Sequence, residues 1–384
     1  MGKLPLRAWQ QEALGRWEEA GHRGIIEVVT GAGKTVFALA CIDQLRPETT
    51  LVVVPTVALL EQWWEQVARF FDLDVDEVHV ITGKKQIRAG TINIAVLNTA
   101  MKLYDEGKGR ACFLIVDECH KAASEQFRKI LLIPKLAALG LSATPERPYD
   151  SGLSDVLIPA LGPVIFNYTY KDALRDGVIV PFVLRNIVFD LEADRLHEYE
   201  KLTKVIARSI SRFGLEAPET ISLLLKRTRI INLSINRIRL ALKIVAANKG
   251  KRILIFHEDI EACNLMHEIL TDNGVKAGVY HSKLSMRDRV SMLQAYRNGK
   301  IDVLVSCRAL DEGFDVPETE IGIVAASTAT RRQRIQRLGR VLRPAGGKDG
   351  ATIYTLVTTD PEIGRLRDEE RELEGVAEVT WGRA

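Results

Sequence analysis

The sequence predicts an α/β protein of two tandem domains, each built on a parallel sheet, with a helical segment connecting them. Three observations carry this. Short apolar runs alternate with helical patterns twice over along 384 residues. The runs are apolar throughout rather than alternating with polar residues, as parallel strands covered on both faces must be. A glycine-rich turn, Gly31-Ala32-Gly33, separates the first run from the helical pattern after it, which is the order of a strand, a phosphate-binding loop and a helix.

The first-half strands are IIEVV (25–29), LVVVP (51–55), INIAVL (92–97), CFLIVD (112–117) and LAALGLS (136–142). The second-half strands are RILIFH (252–257), KAGVY (276–280), DVLVS (302–306), IGIVAAS (321–327) and TIYTLV (352–357). Residues 190–246 carry helical patterns and no strand signal. The expected division is therefore a first domain over 1–165, an inter-domain segment and helical connection over 166–246, and a second domain over 247–384.

Composition narrows the class. The chain is 46% hydrophobic and 27% charged with a net charge of +3, which permits a nucleic-acid partner without demanding one. Its five cysteines form no C-x-x-C pair, so neither a disulfide framework nor a zinc site is expected. No apolar run approaches the roughly 18 residues of a membrane span, and no signal core opens the chain. The expected location is cytoplasmic, on the nucleoid in a bacterial or phage setting.

The stretch VVTGAGKT (28–35) is the first with chemistry. Gly31 and Gly33 let several backbone N–H groups face one phosphate. The helix that follows adds the partial positive charge of its N-terminus. Lys34 reaches the β- and γ-phosphates of a nucleotide, and the Thr35 hydroxyl holds Mg²⁺. The strict pattern has glycine where Val28 stands. The bland alternative is an ordinary strand-to-helix turn.

CFLIVDECH (112–120) ends a strand in two carboxylates. Ligands of open parallel sheets bind at the carboxyl ends of strands, so Asp117 is expected near Lys34. Asp117 is assigned to the metal and Glu118 to the attacking water. His120 is either a coupling residue or a helix-start histidine. In TRRQRIQRLGRVLRP (330–344), Arg337, Arg340 and Arg343 recur every three residues and share one helical face. Guanidinium groups stabilise a transferring γ-phosphoryl group best from a mobile partner. One phosphate grip, two sheets and one arginine helix together suggest ATP in a cleft between domains.

At this point the chain resembles the superfamily 2 nucleic-acid helicases of DExH type, whose fold is a tandem pair of RecA-like P-loop domains. The resemblance runs nearly end to end and in order. Leu6-Arg7-Ala8-Trp9-Gln10 resembles the adenine-recognition segment, and Thr30 to Thr35 resembles motif I. Val54-Pro55-Thr56 with Gln62, then Asn98-Thr99, resemble motifs Ia and Ib. Asp117-Glu118-Cys119-His120 and Ser142-Ala143-Thr144 match motifs II and III. Ile255-Phe256 with Tyr280-His281-Ser282, then LDEGFDVP (310–317), then Gln336 to Arg343 resemble motifs IV, V and VI. The segment 161–182 is most similar to XPB-type repair helicases, type III restriction subunits and phage recombination helicases. The Arg-Glu-Asp element of the XPB type is replaced by ERPYD (146–150). Nothing of domain length precedes Leu6, so the chain reads as a bare motor core.

The resemblance implies roles. Arg7, Gln10, Thr30, Gly31, Ala32, Gly33, Lys34 and Thr35 would bind ATP, with Gly313 and Asp315 sensing it from the second domain. Thr35 and Asp117 would hold Mg²⁺. Glu118 would be the base, Arg340 and Arg343 the arginine fingers, and Gln336 would lie near the γ-phosphate. His120, Ser142 and Thr144 would couple nucleotide state to motion. Pro55, Thr56, Gln62, Asn98, Thr99 and Ser282 would touch the nucleic-acid backbone, contacts that read no sequence. Lys226, Arg227, Arg229, Arg237 and Arg239 either add duplex contacts or form a solvated helix surface. The implied function is an ATP-driven helicase or translocase on duplex, single-stranded or branched DNA, with a nuclease or a repair or defence protein as partner. The rivals are an ATPase clamp that does not unwind, or an RNA helicase.

Overall fold

The computed structural model describes residues 5–74, 77–82, 86–105, 111–145, 151–215, 217–307, 316, 318–326 and 341–384. The chain divides into two compact units, the first ending at Ala173 and the second beginning at Leu174.

The first unit contains β1 (Arg23–Val28), β2 (Thr50–Val54), β3 (His79–Val80), β4 (Ile92–Val96), β5 (Cys112–Asp117), β6 (Lys135–Ser142) and β7 (Val164–Tyr168). They form one sheet in the order β3-β4-β2-β5-β6-β1-β7, every described pair parallel. The second unit contains β8 (Phe182–Val188), β9 (Ile253–His257), β10 (Ala277–Tyr280), β11 (Val303–Cys307), β12 (Ile321–Val324), β13 (Ala351–Val357) and β14 (Glu378–Arg383). Its order is β10-β11-β9-β12-β13-β8-β14, again all parallel. The tandem RecA-like α/β fold is thereby established.

The inner strands β2, β5, β9 and β11 are buried along their whole length. That is why they read as unbroken apolar runs. Four strands escaped the sequence reading: β3, β7, β8 and β14. In β7 (VIFNY) and β8 (FVLRNIV) buried and exposed positions alternate, and β14 (EVTWGR) is an exposed edge strand. An apolar-run criterion passes over all of these.

The helices Ala193–Phe213 and Pro218–Asn232 pack on each other through a buried hydroxyl pair, Ser209 Oγ to Thr220 Oγ1 at 2.7 Å. The helix Ile235–Ala247 inserts Ile238, Ala241, Ile244 and Val245 into the core beneath the second sheet. Arg237 lies on that same buried face with no exposure at all. It pairs with Glu362 at 3.2 Å and covers the Phe189 ring. Arg237 is therefore no duplex contact: its spacing to Ala241 and Ile244 aims it inward. All five cysteines are free and buried, and among the described residues no helix is long and apolar enough to cross a membrane.

Candidate nucleotide-binding site

In the first sheet β5, β6 and β1 are neighbours. The segments leaving their carboxyl ends therefore share one edge, and the candidate residues collect there. After β1, Gly31 and Gly33 take φ values of 91° and 99°, a region closed to most side chains. Gly33 is also the last residue before the helix Lys34–Leu45. The positive φ is what calls for glycine there, and a Cβ would also press on the Gln10 amide at 3.0 Å. The first turn of the helix leaves N–H groups without intrahelical acceptors, aimed at the same place.

Lys34 folds back over the loop. Its Nζ donates to the Val28 carbonyl at 3.1 Å and lies 4.0 Å from Glu118 Oε1. The Val28 side chain is fully buried in the sheet. Only its carbonyl serves the loop, and every residue type has one. This accounts for the departure from the glycine pattern.

Gln10 is held by packing that begins one residue earlier. The Trp9 ring stacks at 5.2–6.0 Å on Phe37, Phe166 and Tyr168, which pins the helix Ala8–Glu19 beside the loop. Gln10 then accepts from the Arg7 N–H at 2.8 Å and donates to the Gly33 carbonyl at 3.0 Å. Both ends of its amide are engaged, so it braces the loop, while Arg7 is exposed. Thr30 Oγ1 is buried and has no hydrogen-bond partner among the described residues. A buried hydroxyl without a partner, two left-handed glycines and a lysine form a cradle that fits a phosphate chain. Ala32 is buried and Thr35 is half-buried in the first helical turn.

At the end of β5, Asp117 is buried and held at both oxygens. Oδ1 accepts from the Glu118 N–H at 2.9 Å, and Oδ2 accepts from the Trp63 indole N–H at 2.8 Å. Sequence reasoning missed Trp63. It sits on the helix Val57–Phe71 with Leu60 and Val67, an i, i+3, i+7 stripe facing the sheet. That stripe was the available signal.

Glu118 has φ 49° and ψ 50°, left-handed for a residue with a side chain. Such strain costs about 1–3 kcal/mol and gathers at functional sites. The bend brings Glu118 Oε2 to 3.4 Å from His120 Nδ1. His120 Nδ1 is also 3.1 Å from Ser142 Oγ, and Ser142 Oγ accepts from the Thr144 N–H at 3.1 Å. A continuous polar chain thus runs from Lys34 through Glu118, His120 and Ser142 to Thr144. It links the carboxyl ends of β1, β5 and β6.

The expected nucleic-acid residues of this unit leave β2, the neighbour of β5, and β4, the next strand outward, at the same edge. Pro55 follows β2. Thr56 caps the next helix by accepting from the Leu59 N–H at 3.4 Å, and Gln62 is half-buried on that helix. Asn98 is exposed and Thr99 half-buried in the first turn after β4. In the second unit Ser282 is exposed just beyond β10. Arg343 is half-buried, and its carbonyl accepts from Lys348 Nζ at 2.8 Å. Gly313, Asp315, Gln336 and Arg340 lie outside the described residues.

Residues 3–147 match the family described as the type III restriction enzyme res subunit, and residues 236–345 match the helicase conserved C-terminal domain. The chain is similar to the DNA 3'-5' translocase XPB2 of Sulfurisphaera tokodaii, 29% identical over 96% of this chain and 85% of that protein. It is also similar to the DNA 3'-5' helicase XPB of Kineococcus radiotolerans, 27% identical over 92% of this chain and 60% of that protein. Among solved structures, Saccharomyces cerevisiae Dbp5 bound to RNA and ADP BeF3 shares the fold at a TM-score of 0.64 and 15% identity, covering 98% of this chain and 89% of the other. Fold, site and both matched domains agree on a superfamily 2 helicase core, a res-subunit domain followed by a helicase C-terminal domain.

Proposed function

We propose that this protein is an ATP-dependent DNA helicase or translocase, a motor that moves on or remodels duplex or branched DNA. The observation that carries it is the polar chain joining Lys34, Glu118, His120, Ser142 and Thr144. A phosphate grip alone binds nucleotide. A grip wired to a base and onward to a neighbouring strand end can report hydrolysis to the rest of the molecule.

Gly31 to Thr35 bind the triphosphate through backbone N–H groups and the Lys34 ammonium. The Thr35 hydroxyl and the Asp117 carboxylate are the groups that would hold Mg²⁺, with Trp63 fixing Asp117 in place. Bound Mg²⁺ supplies charge neutralisation on the β- and γ-phosphates. Glu118 orients the attacking water and takes its proton. His120 holds the second Glu118 oxygen and passes the change of charge to Ser142. By the resemblance, Arg340 and Arg343 would be the arginine fingers, Gln336 would serve the γ-phosphate, and Gly313 and Asp315 would sense the nucleotide.

Pro55, Thr56, Gln62, Asn98, Thr99 and Ser282 contact the DNA backbone through hydroxyl, amide and main-chain groups, without reading sequence. Two observations favour DNA over RNA: the matched res-subunit family, and relatives named as DNA translocase and DNA helicase. A nuclease or a repair or defence protein is the expected partner, in the cytoplasm or on the nucleoid. The test is displacement of a third strand from a DNA triplex, alongside unwinding of a forked duplex, by wild type and Lys34→Ala. ATP-dependent displacement by the wild type alone supports the motor. Vigorous DNA-stimulated hydrolysis with no displacement of either kind identifies a clamp instead.

A further inference from the structure

The motor residues of the second unit leave the carboxyl ends of its strands. At the opposite end of the same sheet lies a cavity of about 670 Å³, bounded by the helices Ile235–Ala247 and Ile260–Asp272. Ile253 and Val303, the first residues of β9 and β11, form part of its floor. No step of the motor uses it.

Two properties set what the cavity can take. Its floor is apolar, with Leu242, Val245, Ile269 and Val275 beside the two strand ends. Its rim is cationic. Arg239, Lys243, Lys249 and Lys276 are exposed around it and form no ion pair among the described residues. Asp302 is the one acidic residue in the lining. Arg239 and Lys243 stand four apart on one helix, where like charges repel by a few tenths of a kcal/mol. The fifth cation, Lys251, shows what the rim binds: it holds the Glu320 carboxylate at 2.6 Å, and that pairing raises the Lys251 pKa.

We propose that this cavity docks an acidic peptide segment of a partner protein, with one or two large apolar side chains on the floor and flanking Asp or Glu side chains on the rim. A phosphodiester backbone would satisfy the cations but leave the apolar floor against water. A purely apolar segment would leave the cations unmatched. The volume lies in the range of pockets that enclose a ligand of this size. The position leaves the candidate DNA contact Ser282 clear, so a partner can ride on the motor while it works.

The test is selection of random dodecapeptides on the full chain, with the selected peptides then titrated against the double variant K243E/K276E. Both lysines are exposed and lie outside the motor site, so the variant keeps DNA-stimulated ATPase as a check on its fold. The expected peptides place Asp or Glu around Leu, Ile, Phe or Trp. They bind the variant about tenfold or more weakly, and their binding slows amide exchange in residues 242–250 and 269–276. The proposal is overturned if no peptide prefers the wild type, if the selected peptides lack acidic residues, or if protection falls elsewhere. It is equally overturned if the variant loses binding of an oligonucleotide while selected peptides bind both forms alike.

Discussion

Trp63→Phe removes the indole N–H that Asp117 Oδ2 accepts at 2.8 Å. Asp117 is 6% exposed, so water cannot readily replace the lost donor. A hydrogen bond to a charged group contributes about 1.5–3 kcal/mol. Replacing the fully buried indole by a smaller ring adds about 1 kcal/mol of lost packing. The expected loss of stability is therefore about 2.5–4 kcal/mol, read as a lower urea midpoint at unchanged slope. The functional effect follows from position. A group that orients a metal-holding carboxylate alters metal affinity by about 10–100-fold when removed. The Mg²⁺ concentration for half-maximal ATPase should rise by that factor, with ATPase recovered at high Mg²⁺. Trp64→Phe, on the half-buried neighbour, is the control and should change neither quantity. A Trp63→Phe protein with wild-type Mg²⁺ dependence would refute the role given to Trp63, whatever its stability.

Three further outcomes are expected. Glu118→Gln should bind ATP yet lose turnover by at least about a hundredfold, whereas Glu118→Gly should lose turnover and also gain about 1–2 kcal/mol in urea unfolding by relieving the left-handed backbone. Arg237→Ala should cost about 3–5 kcal/mol, because it removes the cation from the buried Glu362 carboxylate, which then keeps only its Thr358 and Thr359 donors, and should leave the salt dependence of DNA binding unchanged in filter binding. His257 gives a pH signature. Its Nδ1 accepts from the Asp259 N–H at 3.0 Å, so its Nε2–H donates to the Asn232 carbonyl at 3.1 Å. Burial, reinforced by the Arg237 charge, pushes its pKa down to about 4. The unfolded chain protonates near 6.5 and so binds more protons in between. Stability from this group is full above about pH 6.5 and is lost as pH falls toward 4, by up to about 3 kcal/mol. Urea midpoints at several pH values should show the slope, and His257→Gln should flatten it.

Much of this molecule is written in local pattern, because burial on both faces leaves a strand few choices. β2, β5, β9 and β11 are legible for that reason. β7, β8 and β14 are not: in β8 the exposed Arg185 and the buried but polar Asn186 break the apolar run, and β14 is an exposed edge. At the site, Lys34, Asp117 and Glu118 were legible as residue types at the ends of apolar runs. What they contact was not. That Val28 contributes only a carbonyl, that Trp63 anchors Asp117, and that Glu118 bends to meet His120 all depend on which strands become neighbours. The order β5-β6-β1 decides that, and no local window contains it. Arg237 shows the reverse case. Its spacing with Ala241 and Ile244 announced a buried position, and its charge concealed it.

The central claim is that this is a DNA-driven motor. Steady-state ATPase measured with no polymer, duplex DNA, single-stranded DNA, forked DNA and RNA tests it most directly. The expected result is strong stimulation by DNA over RNA, strongest with the DNA form the motor remodels and falling steeply as salt is raised. Stimulation by RNA alone, or equal rates with and without every polymer, would contradict it.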